Sequence, residues 1–364
     1  MLTKELISIL ESWAPKSYQE SYDNSGLLVG SYDKEIQRAL ITLDCTEEVI
    51  EEAIASHCDI VIAHHPIIFS GLKRLNGSNY VERTVLKAIQ NNISIYAIHT
   101  NLDNVYNGVN QMIAEKLNLI NTQILLPKQD ILKKLITFIP CDAFDSVTKA
   151  VFDAGAGTIG NYSQTGFSVE GMGSFMGNEN SNPAVGTPQE LERVQEKRFE
   201  TIFPSYLESN VIKALLLAHP YEEVAYDIIS LDNSFSQVGS GYVGELKEEI
   251  SLVGLLNILK ETFHLSALKY TEYEGKIKKI ALCGGSGSFL RKAAFQSGAQ
   301  AFITADFKYH EYFDAEKKMS YINVGHYESE QFTKELIFQY LEKNALSLQS
   351  QISRVNTNPV KNYF

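Results

Sequence analysis

The 364-residue chain has few cysteines, no excess of positive charge and no long apolar run, and each shortage excludes a class of protein. The four cysteines (Cys45, Cys58, Cys141 and Cys283) are too sparse for a disulfide framework and favour a reduced, cytoplasmic compartment. The net charge of −12 disfavours a nucleic-acid partner. No segment approaches the roughly 18 apolar residues of a membrane span, and the first residues lack the apolar core of a secretory signal. We therefore expect a soluble cytoplasmic protein with no membrane partner.

The composition is that of a globular protein with a sizeable core, because 44% of the residues are hydrophobic and 21% are charged. At roughly 150 residues per domain, the length predicts two to three domains. Short apolar runs alternate with amphipathic segments over the first third of the chain and again from about residue 238. Strands that alternate with helices in this way predict an α/β fold with a parallel or mixed sheet.

A segment of different composition interrupts this alternation. Residues 154–190 are dense in glycine, serine and asparagine, which predicts a large loop or hairpin. The patterns on both sides repeat a strand–helix–strand order, which is typical of a small ferredoxin-like sandwich. The simplest organisation is one α/β domain built from residues 1–129 and 237–364, with an inserted domain at residues 130–236. Three consecutive domains are the alternative.

Three further expectations concern the last part of the chain. The periodicity of apolar residues predicts a helix over residues 307–317 and a single helix over residues 329–342. The polar tail over residues 349–364 is expected to fray, as chain ends without apolar anchors do.

Potential metal ligands follow three of the predicted strands. His64 and His65 come directly after the apolar run at residues 59–63, and Asp103 follows the run at 93–98. His326 and Glu330 follow the run at 321–324. Because ligands bind at the carboxyl ends of strands in open α/β sheets, we expect these side chains to meet at one edge of the sheet.

The types and spacing of these five residues favour two metal ions over one. His326 and Glu330 are four residues apart, so both lie on one face of a helix, whereas Glu328 points away. The adjacent His64 and His65 diverge and can each bind a different ion. Two carboxylates that can bridge suit a pair of divalent cations, which would lower the pKa of a bridging water. The set has no thiolate, which leaves Zn, Mn, Fe, Co or Ni as the metal.

Each of these motifs is commonly an ordinary structural feature when it occurs alone. A pair of adjacent histidines and a histidine–glutamate pair at a helix start both occur by chance in many proteins. The metal interpretation depends on all five groups following strand ends.

The residues resemble those of a known family. The resemblance rests on the motifs SYDNSGLLVG (21–30), LDCT (43–46), AHHPIIF (63–69), HTNLD (99–103), CGGSGS (283–288) and GHYESE (325–330). They resemble the Ngg-interacting-factor-three family, also called the type 2 GTP cyclohydrolase I family, and they run in the family's order over nearly the whole chain.

The resemblance carries several implications. The dinuclear metal ligands of the family fall on the same five residues, and the members form a toroidal homohexamer whose metal sites face an internal cavity. Members of this longer type carry an inserted domain similar to PII and CutA proteins, and HPYEEVAYDI (219–228) looks like a CutA signature. A purely structural role for that stretch is the alternative we prefer.

Two weaker signals lie near the same strand ends. The turn formed by Gly284, Gly285, Ser286 and Gly287 precedes a predicted helix, and either binds a substrate phosphate through its amides or is a tight structural turn. Asp306 and His310 follow another strand, and we expect them to support the metal ligands or to transfer protons. The family usually has glycine where this chain has Ala305. His99 is a further candidate for orienting the Asp103 region.

These observations predict a metal-dependent hydrolase that uses a hydroxide bridging two metal ions. The family name implies that the small-molecule substrate is a purine nucleotide such as GTP, and hydrolysis of a phosphorylated compound would use the same ions. The alternative is a non-catalytic regulatory protein that senses a metal or metabolite, because PII-like modules commonly bind ligands.

Overall fold

The computed structural model describes residues 1–363, which form two compact units. One unit consists of Met1–Pro127 and Gln237–Phe364, and the other consists of Lys128–Ser236. The bounds that the sequence suggests for a separately folding insert, 130–236, remain a prediction. Among the described residues, no helix has the length and apolar character that crossing a membrane requires.

Helices and strands alternate along both units. The first segment contains α1 (Thr3–Trp13), β1 (Gly26–Val29), β2 (Arg38–Thr42), α2 (Glu47–Ala55), β3 (Ile60–Ala63), α3 (Tyr80–Gln90), β4 (Ser94–Ala97), α4 (Thr100–Asn104), α5 (Val109–Lys116) and β5 (Ile120–Lys128). The middle segment contains β6 (Leu132–Pro140), α6 (Phe144–Asp153), β7 (Phe167–Phe175), β8 (Glu192–Pro204), α7 (Glu208–Ala218) and β9 (Tyr226–Leu231). The last segment contains β10 (Phe235–Ile250), α8 (Leu252–Thr262), β11 (Lys269–Tyr270), β12 (Ile277–Leu282), α9 (Arg291–Gln296), β13 (Ala301–Thr304), β14 (Ser320–Asn323), α10 (His326–Glu330), α11 (Thr333–Asn344) and β15 (Gln349–Ile352).

The first unit contains two sheets. In the five-stranded sheet the order is β1-β4-β3-β2-β15, with β1 antiparallel to β4 and the other neighbours parallel. In the six-stranded sheet the order is β11-β14-β13-β12-β10-β5, and β12, β13 and β14 are parallel. Every residue of β3, β4 and β13 is buried, as expected for parallel strands that are covered on both faces.

The second unit is a four-stranded antiparallel sheet in the order β7-β8-β6-β9, with the chain order β6-α6-β7-β8-α7-β9. This is the ferredoxin-like topology. Its core contains Leu135, Phe199 and Phe203 packed against residues of α6 and α7. The segment predicted as a loop or hairpin contains β7, which pairs with β8. The fold-class prediction is confirmed: an α/β domain is built from both ends of the chain, with an inserted ferredoxin-like domain.

One local expectation is refined and two are wrong. Within the helix predicted over 307–317, residues 309–315 form a 3-10 helix, and the carboxylate of Glu311 accepts the backbone N–H of Lys308 at its start. The helix predicted over 329–342 is two helices, α10 and α11, and the buried Ser329 hydroxyl bonds the carbonyl of His326 within the first of them. At its start the tail is not frayed, because residues 349–352 form β15, a parallel edge strand beside β2.

Candidate metal centre

The five predicted ligands meet in the first unit, where strand ends of its two sheets face each other. His64 and His65 directly follow β3, and Asp103 lies on the short α4 that follows β4. His326 and Glu330 are the first and last residues of α10, which follows β14. The expected single sheet edge is therefore wrong, because two separate sheets contribute to the site.

Short distances join these side chains. His64 Nε2 lies 3.6 Å from Asp103 Oδ1 and 4.0 Å from Glu330 Oε1. Glu330 Oε2 lies 3.0 Å from His65 Nε2 and 3.2 Å from His326 Nε2. Ligand atoms of His64, His65 and Glu330 all lie within 4.8 Å of one another, which makes them a possible metal-binding cluster.

Two atoms of this cluster are buried without a hydrogen-bond partner in the described structure. They are His64 Nε2 and Asp103 Oδ1. Because buried polar atoms are nearly always hydrogen-bonded, such a pair facing each other requires an explanation. A nitrogen lone pair and a carboxylate oxygen are both metal ligands, so the donor set fits a divalent cation.

The three imidazoles are oriented by bonds from their other ring nitrogen. These bonds join His64 Nδ1 to the Ile98 carbonyl at 2.8 Å, His65 Nδ1 to Asp44 Oδ1 at 2.7 Å, and His326 Nδ1 to Asp306 Oδ2 at 2.6 Å. In this structure His65 and His326 donate to Glu330 through Nε2, and once Nε2 is deprotonated each neutral ring would present a lone pair to the centre of the cluster. Carbonyl or carboxylate partners of this kind are typical of metal-binding histidines.

The ionisation of the cluster reflects burial and close like charges. Burial lowers the pKa of His64 to about 3. Burial raises the pKa of Asp103 well above its usual value, and the Glu330 carboxylate adds to this effect. Burial would also raise the pKa of Glu330, but hydrogen bonds from His326 and His65 hold it well below the usual range. The two carboxyl groups of the cluster thus differ in ionisation, with the pKa of Asp103 raised and that of Glu330 lowered.

Comparison with known proteins identifies the family. The Duf34/NIF3 (NGG1p interacting factor 3) family model matches residues 1–359. The chain belongs to the Duf34/NIF3 family. A Bacillus subtilis (strain 168) protein called "GTP cyclohydrolase 1 type 2 homolog" is 37% identical, and the match covers 98% of this chain and 97% of that protein.

Solved structures of Duf34/NIF3 relatives have the same fold. A Bacillus cereus protein related to NIF3 superimposes with a TM-score of 0.87 at 37% identity, and the match covers 100% of this chain and 99% of that one. A Staphylococcus aureus protein superimposes with a TM-score of 0.79 at 31% identity and the same coverage.

In this Duf34/NIF3 chain, backbone amides of the glycine-rich turn already donate hydrogen bonds within the protein. The N–H of Gly284 donates to Asn110, that of Gly285 to Ser329, and that of Gly287 to Thr304. These amides are therefore not free to bind a phosphate. The hydrogen bonds support the structural-turn alternative for the segment that includes Ser286.

The two residues after β13 have different positions. Asp306 bonds His326, as described above, and has a left-handed φ of 56°. His310 is exposed on the 3-10 helix, where its ring contacts Tyr309 and Phe313. Among the described residues, no hydrogen bond or ion pair joins His310 to the five predicted ligands, so its role in supporting the ligands or transferring protons stays a prediction.

Functional residues that sequence analysis missed lie behind the ligands. Asp44 follows β2 just as His64 follows β3, so the same strand-end rule could have found it. Its other carboxylate oxygen accepts the hydroxyl of Thr357, a tail residue for which the sequence carries no signal. Asp23 accepts hydrogen bonds from the His99 ring and from Thr100, which fixes the start of α4.

A cavity of about 730 Å³ opens onto the cluster. Its lining includes His65, Asp103, His326 and Glu330, and also the exposed aromatic rings of Tyr22, Phe69, Tyr80 and Phe289. Two cysteines line it too, but burial raises the pKa of Cys45 to about 12 and that of Cys283 well above its usual value. The histidines and carboxylates of the cluster offer a metal nitrogen and oxygen donors.

Proposed function

We propose that this chain is a metal-dependent hydrolase that binds two divalent cations through His64, His65, Asp103, His326 and Glu330. The observation that carries the proposal is the pair of buried atoms without partners, His64 Nε2 and Asp103 Oδ1. The orienting bonds to all three imidazoles support it, since they turn three Nε2 atoms towards one point.

The distribution of the ligands on the two sides of the Glu330 carboxylate supports two metal ions. His65 and His326 approach Glu330 from the side of Oε2, whereas His64 and Asp103 lie on the side of Oε1. A carboxylate with histidines on both sides has the arrangement of a bridging ligand. Nitrogen and oxygen donors without a thiolate suit Zn, Mn, Fe, Co or Ni.

Residues around the proposed ligands would fix the geometry in which the cations are bound. When bound, a pair of divalent cations lowers the pKa of water and stabilises negative charge on substrate oxygens. Asp44, Asp306 and the Ile98 carbonyl hold the imidazoles in one tautomer, so the ligand geometry does not have to reorganise. The substrate that we propose is a purine nucleotide, as the name of the Bacillus subtilis relative implies, or another phosphorylated compound.

Elemental analysis beside an activity screen tests this function. We expect near two metals per chain in the purified protein, a sharp loss in Asp103→Ala, and metal-dependent turnover of a purine nucleotide or phosphoester. A matched control is Glu328→Gln, because Glu328 lies on α10 but bonds Asn358. Metal content that is negligible, or equal in Asp103→Ala and the control, would contradict the proposal.

A regulatory protein is the second candidate, and a specific feature favours it. The inserted unit has its own cavity of about 620 Å³, lined by residues such as Phe175, Tyr221 and Glu196. A fully metallated protein that turns over no purine or phosphorylated compound would favour this candidate. The toroidal homohexamer implied by the family resemblance is part of either proposal, and light scattering on the full chain would test it.

A further inference from the structure

The cavity at the cluster has aromatic walls. Tyr22, Phe69, Tyr80 and Phe289 line it, and each exposes more than half of its surface. The ring centroids of Tyr22 and Phe69 lie 6.4 Å apart, and Phe69 lies 6.3 Å from the His99 ring, edge to face. Planar ligands stack on such rings, and stacking of one base contributes roughly 1–3 kcal/mol in nucleic-acid-binding proteins.

These rings lie beside the proposed metal ligands. Phe69 contacts the His99 ring, and the centroid of that ring lies 5.3 Å from the His65 ring and 5.4 Å from the His64 ring. A planar ligand lying against Tyr22 and Phe69 would therefore also be close to the proposed metal ligands.

The charge of the cavity is unusual for a phosphate site. Among the described residues that line it there is no lysine or arginine, whereas there are four carboxylates, those of Glu20, Asp44, Asp103 and Glu330. Two divalent cations would only balance these four negative charges. A triphosphate, which carries several more, would have no positive side chain to bind.

The backbone does not supply the missing phosphate site. The glycine turn at the cavity has its Gly284, Gly285 and Gly287 amides bonded within the protein. What the lining does offer is apolar stacking surface, because the amides of Asn104 and Asn110 are also bonded within the protein.

From these features we infer that the cavity binds an uncharged, planar heteroaromatic ring stacked on Phe69 and Tyr22, and that it discriminates against polyphosphate. The inference rests on the proposed metal-dependent hydrolase, and it keeps the purine ring of the proposed substrate but replaces the nucleotide by a form without polyphosphate. It favours a base or nucleoside over a nucleoside triphosphate at this site.

The test compares binding of uncharged and charged forms of the same rings. Guanosine, adenosine, GTP and ATP are titrated by calorimetry into the full chain loaded with Zn²⁺ or Mn²⁺. We expect each nucleoside to bind at least about tenfold more tightly than its triphosphate. Phe69→Ala should weaken nucleoside binding about tenfold, which corresponds to the loss of one stacking contact.

A matched control separates stacking from a general effect of losing an aromatic side chain. Phe295 is as exposed as Phe69, at 53%, but does not line the cavity, so Phe295→Ala should leave binding unchanged. Unchanged melting temperatures of both variants would show that they remain folded.

Three outcomes overturn the inference: triphosphates that bind as tightly as nucleosides, nucleosides that do not bind, or a Phe69→Ala variant that binds like the control. Elemental analysis of the same samples distinguishes a failure of this inference from a failure of the proposed function. If the metal content stays near two per chain, only the ring inference fails, whereas a protein that takes up no metal contradicts the proposed function itself.

Discussion

Replacing Asp103 with asparagine should change stability in opposite directions with and without divalent cation. Burial and the nearby Glu330 raise the pKa of the Asp103 carboxyl, so its charged form is unfavourable where it lies. Asn keeps the size and removes the charge. It also places an N–H opposite the unpartnered Nε2 of His64, and satisfying such a buried acceptor is worth about 1–3 kcal/mol, so without cation we expect the variant to be more stable by up to that amount.

In saturating cation we expect the opposite result, with Asp103→Asn less stable than the unchanged chain. Loss of a residue that only hydrogen-bonds a metal ligand lowers metal affinity about 10–100-fold. Loss of a residue that binds the metal directly lowers the affinity at least as much. By linkage, a hundredfold weaker affinity removes about 2.7 kcal/mol of ligand-dependent stabilisation. For a domain of this size, 1 kcal/mol corresponds to about 2–4 °C in melting temperature, so the difference is readily measured.

Calorimetric melting in excess EDTA and in saturating Zn²⁺ or Mn²⁺ measures both effects. Glu328→Gln is the control, since its carboxylate bonds Asn358 and lies outside the cluster, and it should respond to cation like the unchanged chain. If Asp103→Asn lowered the melting temperature equally in both solutions, Asp103 would be a structural carboxylate and the reasoning would be refuted.

Three further predictions concern other parts of the chain. Thr357→Val removes the hydroxyl that holds Asp44, so metal affinity measured by titration should fall about tenfold with the fold retained, and an unchanged affinity would refute the link. Only Cys141 is exposed, so mass spectrometry after brief iodoacetamide treatment should find it alone modified; equal labelling of the three buried thiols would contradict this. Burial lowers the pKa of His219, although its bond to the Phe138 carbonyl opposes this shift. The unfolded chain therefore binds this proton more readily, and the inserted unit should lose stability as the pH falls below about 6.5. His219→Gln should flatten that dependence in hydrogen exchange, and an identical pH profile would count against it.

Local patterns predicted the elements with strong apolar periodicity. Among the alternating apolar runs of the first third, the one at Arg38–Thr42 forms β2, and the side chain of Thr46 caps the next helix, α2, by accepting the N–H of Val49. These elements follow from nearest neighbours along the chain, because burial of an apolar strand and capping of a helix are local requirements. The fold class and the inserted unit could be inferred from the same patterns.

Elements whose stability comes from distant partners could not be predicted in this way. The polar segment Gln349–Ile352 has no strand signal of its own, and it is a strand only because β2 offers it an edge. The helix predicted over residues 307–317 is a 3-10 helix, and the one predicted over 329–342 is divided into two helices. Apolar periodicity could not predict this, because it carries no information about side-chain hydrogen bonds.

The amino-acid order alone determined which residue types could hold a cation and that each would follow a buried strand. Only the tertiary structure decided that the strands belong to two sheets, that Thr357 returns from the tail to hold Asp44, and that His310 lies exposed on a 3-10 helix. The physical reason is that strand pairing and long-range hydrogen bonds are chosen among all parts of the folded chain, whereas apolar periodicity and helix caps depend on a few consecutive residues.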